Sequence, residues 1–274
     1  MIRSLFIATI LSTFPLQAAT LPELSAKEWM GCWIGHGQNE FDYSVLAKDA
    51  KGTLYPKVRG KSGWAQAGLH DKFQIFFILE ELKGGTWTRI GIKEDAFETT
   101  QVASSEVAAC ELVATYDSGS KARIRHRFER RNLVLSTVLE HKATENPTRV
   151  GILIMTPEIY RVEKMKKVPT EDELKKLMKD DEIKAVRVDG KSFKFKLHEQ
   201  VILSDEKLLA EGATEFSVES KRYGGKPTRF AAVEKDGGKI LFKQSKPLYE
   251  IFSATWYPAE GKVPAKGSEL VIEF

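Results

Sequence analysis

Between Trp29 and Thr156 the chain alternates short runs of β-branched and aromatic residues with Gly, Asp, Ser and Asn, a rhythm that predicts consecutive antiparallel strands. FQIFFILEEL (73–82) is apolar on both faces in its first half. KGG follows, then TWTRIGIKE (86–94), so Gly84 and Gly85 predict a tight hairpin turn. Five more strand candidates come next, AFETTQVAS, EVAACELVATYD, KARIRHRFERR, NLVLSTVLEHK and TRVGILIMT, separated by SSE, DSGS, RRN and ATENP. Such regular spacing points to a barrel or a sandwich.

The pattern changes after Pro169. Thr170 reads as an N-cap with Glu173 three residues on, and Leu174, Leu177 and Met178 share a face, which predicts a capped helix over 170–183. Strand patterning then resumes with SFKFKLHEQVIL, TEFSVESKRY, PTRFAAVEK, KILFKQSK, LYEIFSATWY and SELVIEF, with DGG (236–238) as a second hairpin turn. Phe193 and Phe195 alternate with Lys194 and Lys196, as in a sheet with one dry and one wet face. The expected fold is mainly β: an antiparallel barrel or sandwich with one short inserted helix and additional C-terminal strands.

The first nineteen residues carry one cation, Arg3, an interrupted apolar run from Leu5 to Leu16, and small residues at Ala18 and Ala19. This reads as a secretory signal peptide, too short to span a bilayer, so the expected location is periplasmic or secreted. The remaining chain divides into a β unit over 20–158, a basic connector with the short helix over 159–185, and a C-terminal β unit over 186–274 that either stands alone or completes the first. No later stretch is long and apolar enough for a membrane helix. The formal charge of +4 is spread along the chain and does not argue for nucleic acid.

Two cysteines, Cys32 and Cys110, would meet an oxidising compartment after export, where a disulfide is the expected state if the geometry permits. Cys32 and His36 share a strand face but lie about 13 Å apart, beyond the reach of a nucleophile–base pair. No GxSxG, HExxH, CxxC or phosphate-cradling glycine loop occurs, and the five histidines have no ligand spacing. No catalytic residue, metal site or cofactor is therefore assigned, and a non-enzymatic role is favoured. Glu80 with Glu81 and Asp180 with Asp181 read as solvated neighbours.

In EWMGCWIGHG (28–37) a strand places Trp29, Gly31, Trp33, Gly35 and Gly37 on one face and Met30, Cys32, Ile34 and His36 on the other. The pattern Gly31-x-Trp33-x-Gly35-x-Gly37 resembles the opening of the lipocalin and calycin families and of nitrobindin-like small barrels. That resemblance implies an up-and-down barrel whose cavity holds a small hydrophobic molecule, with Trp33 closing one end. The nitrobindin-like haem ligand is a histidine near the C-terminus, and here the last histidine is His198, which puts haem in doubt.

KARIRHRFERR supplies the candidate ligand contacts. Alternation sets Lys121, Arg123, Arg125 and Arg127 against Ala122, Ile124, His126 and Phe128. Either His126 with Phe128 lines the interior beneath a solvated basic face, or Arg125 and Arg127 point inward to pair with an anionic amphipathic ligand. The function expected is an exported β-barrel binding a small apolar or amphipathic molecule, the alternative being a structural or protein-interaction module of the cell envelope with a filled core.

Overall fold

The computed structural model describes residues 23–24, 29–36, 39–46, 51–60, 63–66, 73–103, 108–129, 132–155, 170–177, 179–196, 211–220, 227–233, 237–243, 253–259 and 268–273. The signal-peptide reading falls on residues outside this set. The N-terminal strands are β1 (Glu23–Leu24), β2 (Trp29–His36), β3 (Asn39–Leu46), β4 (Lys51–Gly60) and β5 (Gly63–Gln66). The central run is β6 (Phe73–Lys83), β7 (Thr86–Ile90), β8 (Ile92–Ala103), β9 (Ala108–Tyr116), β10 (Lys121–Glu129), β11 (Asn132–His141) and β12 (Thr148–Met155). Helix α1 (Glu171–Leu177) precedes β13 (Glu182–Arg187), β14 (Ser192–Lys196), β15 (Ala213–Glu219), β16 (Thr228–Ala232), β17 (Gly238–Lys243), β18 (Ser253–Pro258) and β19 (Leu270–Glu273).

Every ladder is antiparallel, and twelve of these strands form a nearly closed barrel. β6 pairs with β7, the chain runs on through Gly91 into β8, and β8 to β11 pair in chain order; the circuit then runs β19, β16, β15, β17, β18, β12 and back to β6. The barrel is thus up-and-down only in its first half. The C-terminal strands enter between β11 and β12, so strands on both sides of α1 share one sheet.

Three local features explain the route. Gly84 and Gly85, with φ of 57° and 80°, make the two-residue turn that pairs Lys83 with Thr86, as the KGG motif predicts. β6 then forks: one edge pairs with β12 throughout, while the other meets β4 over Phe73–Phe76 and β7 over Leu79–Lys83. At the far side, Ala213 of β15 pairs with Ile240 of β17 while Glu215–Val218 pair with β16.

Two expectations are corrected here. DGG does not join a two-stranded hairpin: β16 pairs with β15 and β19, and β17 with β18 and β15. Burial decides this, because the partner strands complete the barrel wall on either side. The helix is also shorter than predicted. The capping box is present, with Thr170 N–H donating to Glu173 Oε2 at 2.8 Å and Glu173 N–H donating to Thr170 Oγ1 at 3.3 Å. It ends at Leu177, and Ile183 is instead a fully buried strand residue opposite Phe195 and Val218.

The barrel interior is packed with side chains. Phe73, Ile75, Phe77 and Leu79 of β6 alternate inward, as do Leu112, Ala114 and Tyr116 of β9 and Ile152 and Ile154 of β12. On the C-terminal side Phe216 stacks on Phe230 at 4.6 Å between centroids, and Phe73 tilts against Phe230 at 5.4 Å. Trp256, the largest fully buried side chain, projects into the same core.

Candidate functional site

β10 has the alternation read from its sequence. Ala122, Ile124 and His126 are buried, and Arg123, Arg125 and Arg127 lie on the outer face. His126 is 0% exposed and meets the Phe77 ring edge-on, 5.1 Å between centroids. The guanidinium groups are paired with carboxylates of neighbouring strands: Arg123 with Glu111 at 3.0 Å and Glu140 at 2.5 Å, Arg125 with Glu111 at 3.4 Å, and Arg127 with Glu269 at 3.0 Å. Of the two faces weighed from the sequence, the His126 face is therefore inside. The inward version of Arg125 and Arg127 is corrected because charged groups find water and partners on the outer face and would face an apolar core within.

Phe128 occupies the register position opposite Ala108 and Leu133, and Trp33 that opposite Asp42. Cys32 stands opposite Tyr43, and Cys110 opposite Gln101 and His126. The side chains of Phe128, Trp33, Cys32 and Cys110 lie outside the described residues, and with them the expected disulfide.

The inner wall around His126 contains few polar groups. Tyr116 donates its hydroxyl to the Phe77 carbonyl at 3.1 Å, and burial pushes its ionisation well above the ordinary tyrosine range. Thr137 Oγ1 and Trp256 Nε1 are buried without a hydrogen-bond partner among the described residues.

The outer wall carries a cluster that was not anticipated. Arg149 on β12 lies between two rings, its guanidinium carbon 4.1 Å from the Trp87 centroid and 4.0 Å from that of Tyr257. Its Nε donates to Glu80 Oε2 at 2.8 Å, and Tyr257 OH donates to the same oxygen at 2.9 Å. Gly151 makes this possible: a Cβ there would lie 3.0 Å from the Tyr257 ring. Strand order is the missing signal, because only the ladders bring positions 80, 87, 149 and 257 side by side.

The paired acids are not all solvated, which corrects the sequence reading. Glu80 is on the outer face with Arg149, whereas its neighbour Glu81 is buried. Asp181 is buried and accepts a 2.5 Å hydrogen bond from the Ser220 hydroxyl. Glu182, also buried, sits among Lys184, Lys194 and Lys196 at 2.8 to 3.4 Å. Burial pushes the Glu182 carboxyl up, but Lys194 and Lys184 more than offset it and leave it below the ordinary value.

Among the described residues no three His, Cys, Asp or Glu side chains converge as metal ligands, and no helix is long and apolar enough to cross a membrane. The outer faces of β9, β10 and β11 carry ion pairs where a lipid-embedded barrel carries an apolar band. No protein-family model matches the chain, and comparison with curated proteins finds no match.

Proposed function

We propose that this protein is an exported, non-enzymatic β-barrel that works through its outer surface, as a structural or protein-interaction module of the cell envelope. The observation supporting this reading is the filled interior. Phe73, Phe77, Tyr116, Phe216, Phe230 and Trp256 occupy it with almost no exposed surface. Ligand-carrying barrels keep a cavity, whereas the described inward side chains are buried and pack ring on ring, as Phe216 does on Phe230. The paired charges of β9 to β11 give that wall a water-facing character suited to a soluble or surface-bound module.

A second reading, a barrel that binds a small apolar or amphipathic molecule, is favoured by one observation. Thr137 Oγ1 is a buried acceptor and donor in an apolar wall, and a guest's polar group would satisfy it. In this reading His126 and Phe77 form part of the lining, and the lipocalin-like opening at Gly31 and Trp33 supplies the architectural analogy.

Native mass spectrometry of the protein gently extracted from its own compartment separates the two. The expected spectrum contains the bare chain and protein-sized assemblies. A reproducible small-molecule adduct that is lost on denaturation would overturn the filled-module reading in favour of the second.

A further inference from the structure

β7 pairs with β6 alone, from Ile90 opposite Leu79 to Thr86 opposite Lys83, and after Gly91 the chain passes into β8, which pairs with β9. Among the described residues no strand lies along the other side of β7. Thr86, Thr88 and Arg89 are exposed, and Trp87 and Ile90 are half-buried. The turn fixes which backbone groups face the open side. A two-residue hairpin closes on a hydrogen-bonded pair, here Lys83 with Thr86, and such pairs alternate along the ladder, so Thr86, Thr88 and Ile90 direct their N–H and C=O groups to β6. Trp87 and Arg89 direct theirs outward. Gly91 follows the same alternation, its carbonyl accepting from Asp117 N–H at 2.9 Å on the β9 side.

Open strand edges are ordinarily blunted by lysine, proline or a bulge. β14, which pairs with β13 alone among the described strands, carries Lys194 and Lys196. TWTRI (86–90) has neither lysine nor proline. A Cβ added at Gly84 or Gly85 would meet nothing within 4 Å, so the turn leaves its end of the edge open.

We propose that β7 pairs antiparallel with β7 of a second copy of this chain, about a two-fold axis through Thr88, joining two barrels into a dimer. The strand is complementary to itself in this register. Trp87 faces Arg89 of the second copy, and Arg89 faces its Trp87, so the outward N–H and C=O groups of both residues meet partners. The same facing sets a guanidinium beside an indole on the outer face of the joined sheet, next to the stack of Trp87 with Arg149. Thr88 meets Thr88 at the axis, and Thr86 meets Ile90, all β-branched. Moving the axis to Arg89 would oppose two guanidiniums and set Trp87 against Gly91, whose carbonyl is already bonded. Moving it to Trp87 would set Arg89 against the turn residue Gly85. The edge is short, so the dimer is weak and concentration-dependent. The inference concerns the rim of the barrel and holds whether the interior is filled or carries a guest.

The test is sedimentation velocity of the full chain from about 1 μM to 1 mM, together with oxidative cross-linking of cysteine variants. Wild type is expected to pass from monomer to dimer over this range. Arg89→Pro removes an outward N–H and the cation without breaking the ladder to β6, and should raise the dissociation constant roughly tenfold or more. Thr88→Cys should give a disulfide-linked dimer, because facing residues at the axis lie about 4.5 Å apart between α carbons, within disulfide reach. Thr86→Cys separates the two positions by about 13 Å and should not exceed the background set by Cys32 and Cys110. If Arg89→Pro does not fold, the two cysteine variants decide the matter. A wild type that stays monomeric throughout leaves the edge to another protein or to solvent and overturns the proposal. So would undiminished dimerisation of folded Arg89→Pro, or equal cross-linking of Thr86→Cys and Thr88→Cys.

Discussion

Arg127 and Glu269, 142 residues apart in the chain, are joined by two parallel hydrogen bonds of 3.0 Å. This fork-to-fork pair links the outer face of β10 to the residue that precedes β19, across the place where the C-terminal strands enter the barrel. It is partly buried, so it outperforms an ordinary surface pair. Arg127→Ala is expected to destabilise the fold by about 1 kcal/mol, and Glu269→Ala by a similar amount. The double variant should lose less than the sum, as measured by urea denaturation of all four proteins.

Arg149 supplies a second long-range tie. Its guanidinium is flat, lies between the Trp87 and Tyr257 rings, and bonds Glu80 at the same time. A lysine can keep the charge but not the stacking or the geometry of the hydrogen bonds. Arg149→Lys should therefore cost about 1–2 kcal/mol, nearly as much as Arg149→Met. Equal stability of Arg149→Lys and wild type in chemical denaturation would mean that the stack contributes nothing.

Acid should weaken the fold in a defined order. Glu182 is held below its ordinary value of 4.5 although burial pushes it up, because Lys194 and Lys184 stabilise the ionised form. A carboxyl lowered in the folded state contributes stability that is complete above the unfolded value and is lost as pH falls through the folded one. Melting temperatures should thus drop below about pH 4.5, and Glu182→Gln should flatten that drop while starting lower at neutral pH. Asp189 provides a spectroscopic marker. Hydrogen bonds from Arg187 and from the Lys191 backbone N–H bring it down to about 2, so its NMR titration should move towards the ordinary value of 3.8 in Arg187→Met.

At the β15–β17 junction the backbone tolerates no side chain. Gly212 has a φ of +80°, and an added Cβ would lie 2.5 Å from the Ile240 carbonyl oxygen. Gly212→Ala must strain the backbone and push β17 away from Ala213, so it should lower stability by more than 1 kcal/mol. Gly190, with a similar φ of +85° but open space around its Cβ position, is the control and should suffer only the backbone penalty.

The local part of this architecture was legible in the sequence. Strand rhythm marks β6 to β12, the Gly84–Gly85 pair marks a turn, Thr170 and Glu173 mark a helix start, and alternation in KARIRHRFERR sorts inner from outer positions. What depends on long-range pairing was not. The strand at Glu182–Arg187 is rich in charge and its first two residues fall inside the helix predicted over 170–183, because nothing local shows that Ile183 and Ala185 would be buried by Phe195 and Phe216 across two ladders. Glu81 looks like a solvated neighbour of Glu80, yet it follows Phe77 and Leu79 on the inward face of β6 and is buried. The Arg149 cluster requires β6, β7, β12 and β18 to be neighbours, an order that follows from no periodicity.

Thr137 offers the most direct chemical discrimination between a filled barrel and a ligand-binding one. Its side chain follows Leu133 and Leu135 on the inner face of β11, opposite Ile124, and its hydroxyl oxygen is buried without a partner among the described residues. In a dry, filled core that hydroxyl only costs desolvation energy, and valine fills the same volume without it. Thr137→Val is then expected to stabilise the fold by about 1 kcal/mol in urea denaturation. If the hydroxyl instead bonds a guest or an ordered water, the same substitution removes a satisfied hydrogen bond and destabilises by a similar amount. The measurement should be made on protein taken from its native compartment and again after denaturing purification and refolding. A destabilisation confined to the native-source sample would identify a bound guest lost on refolding, whereas stabilisation in both would establish that this part of the wall is closed.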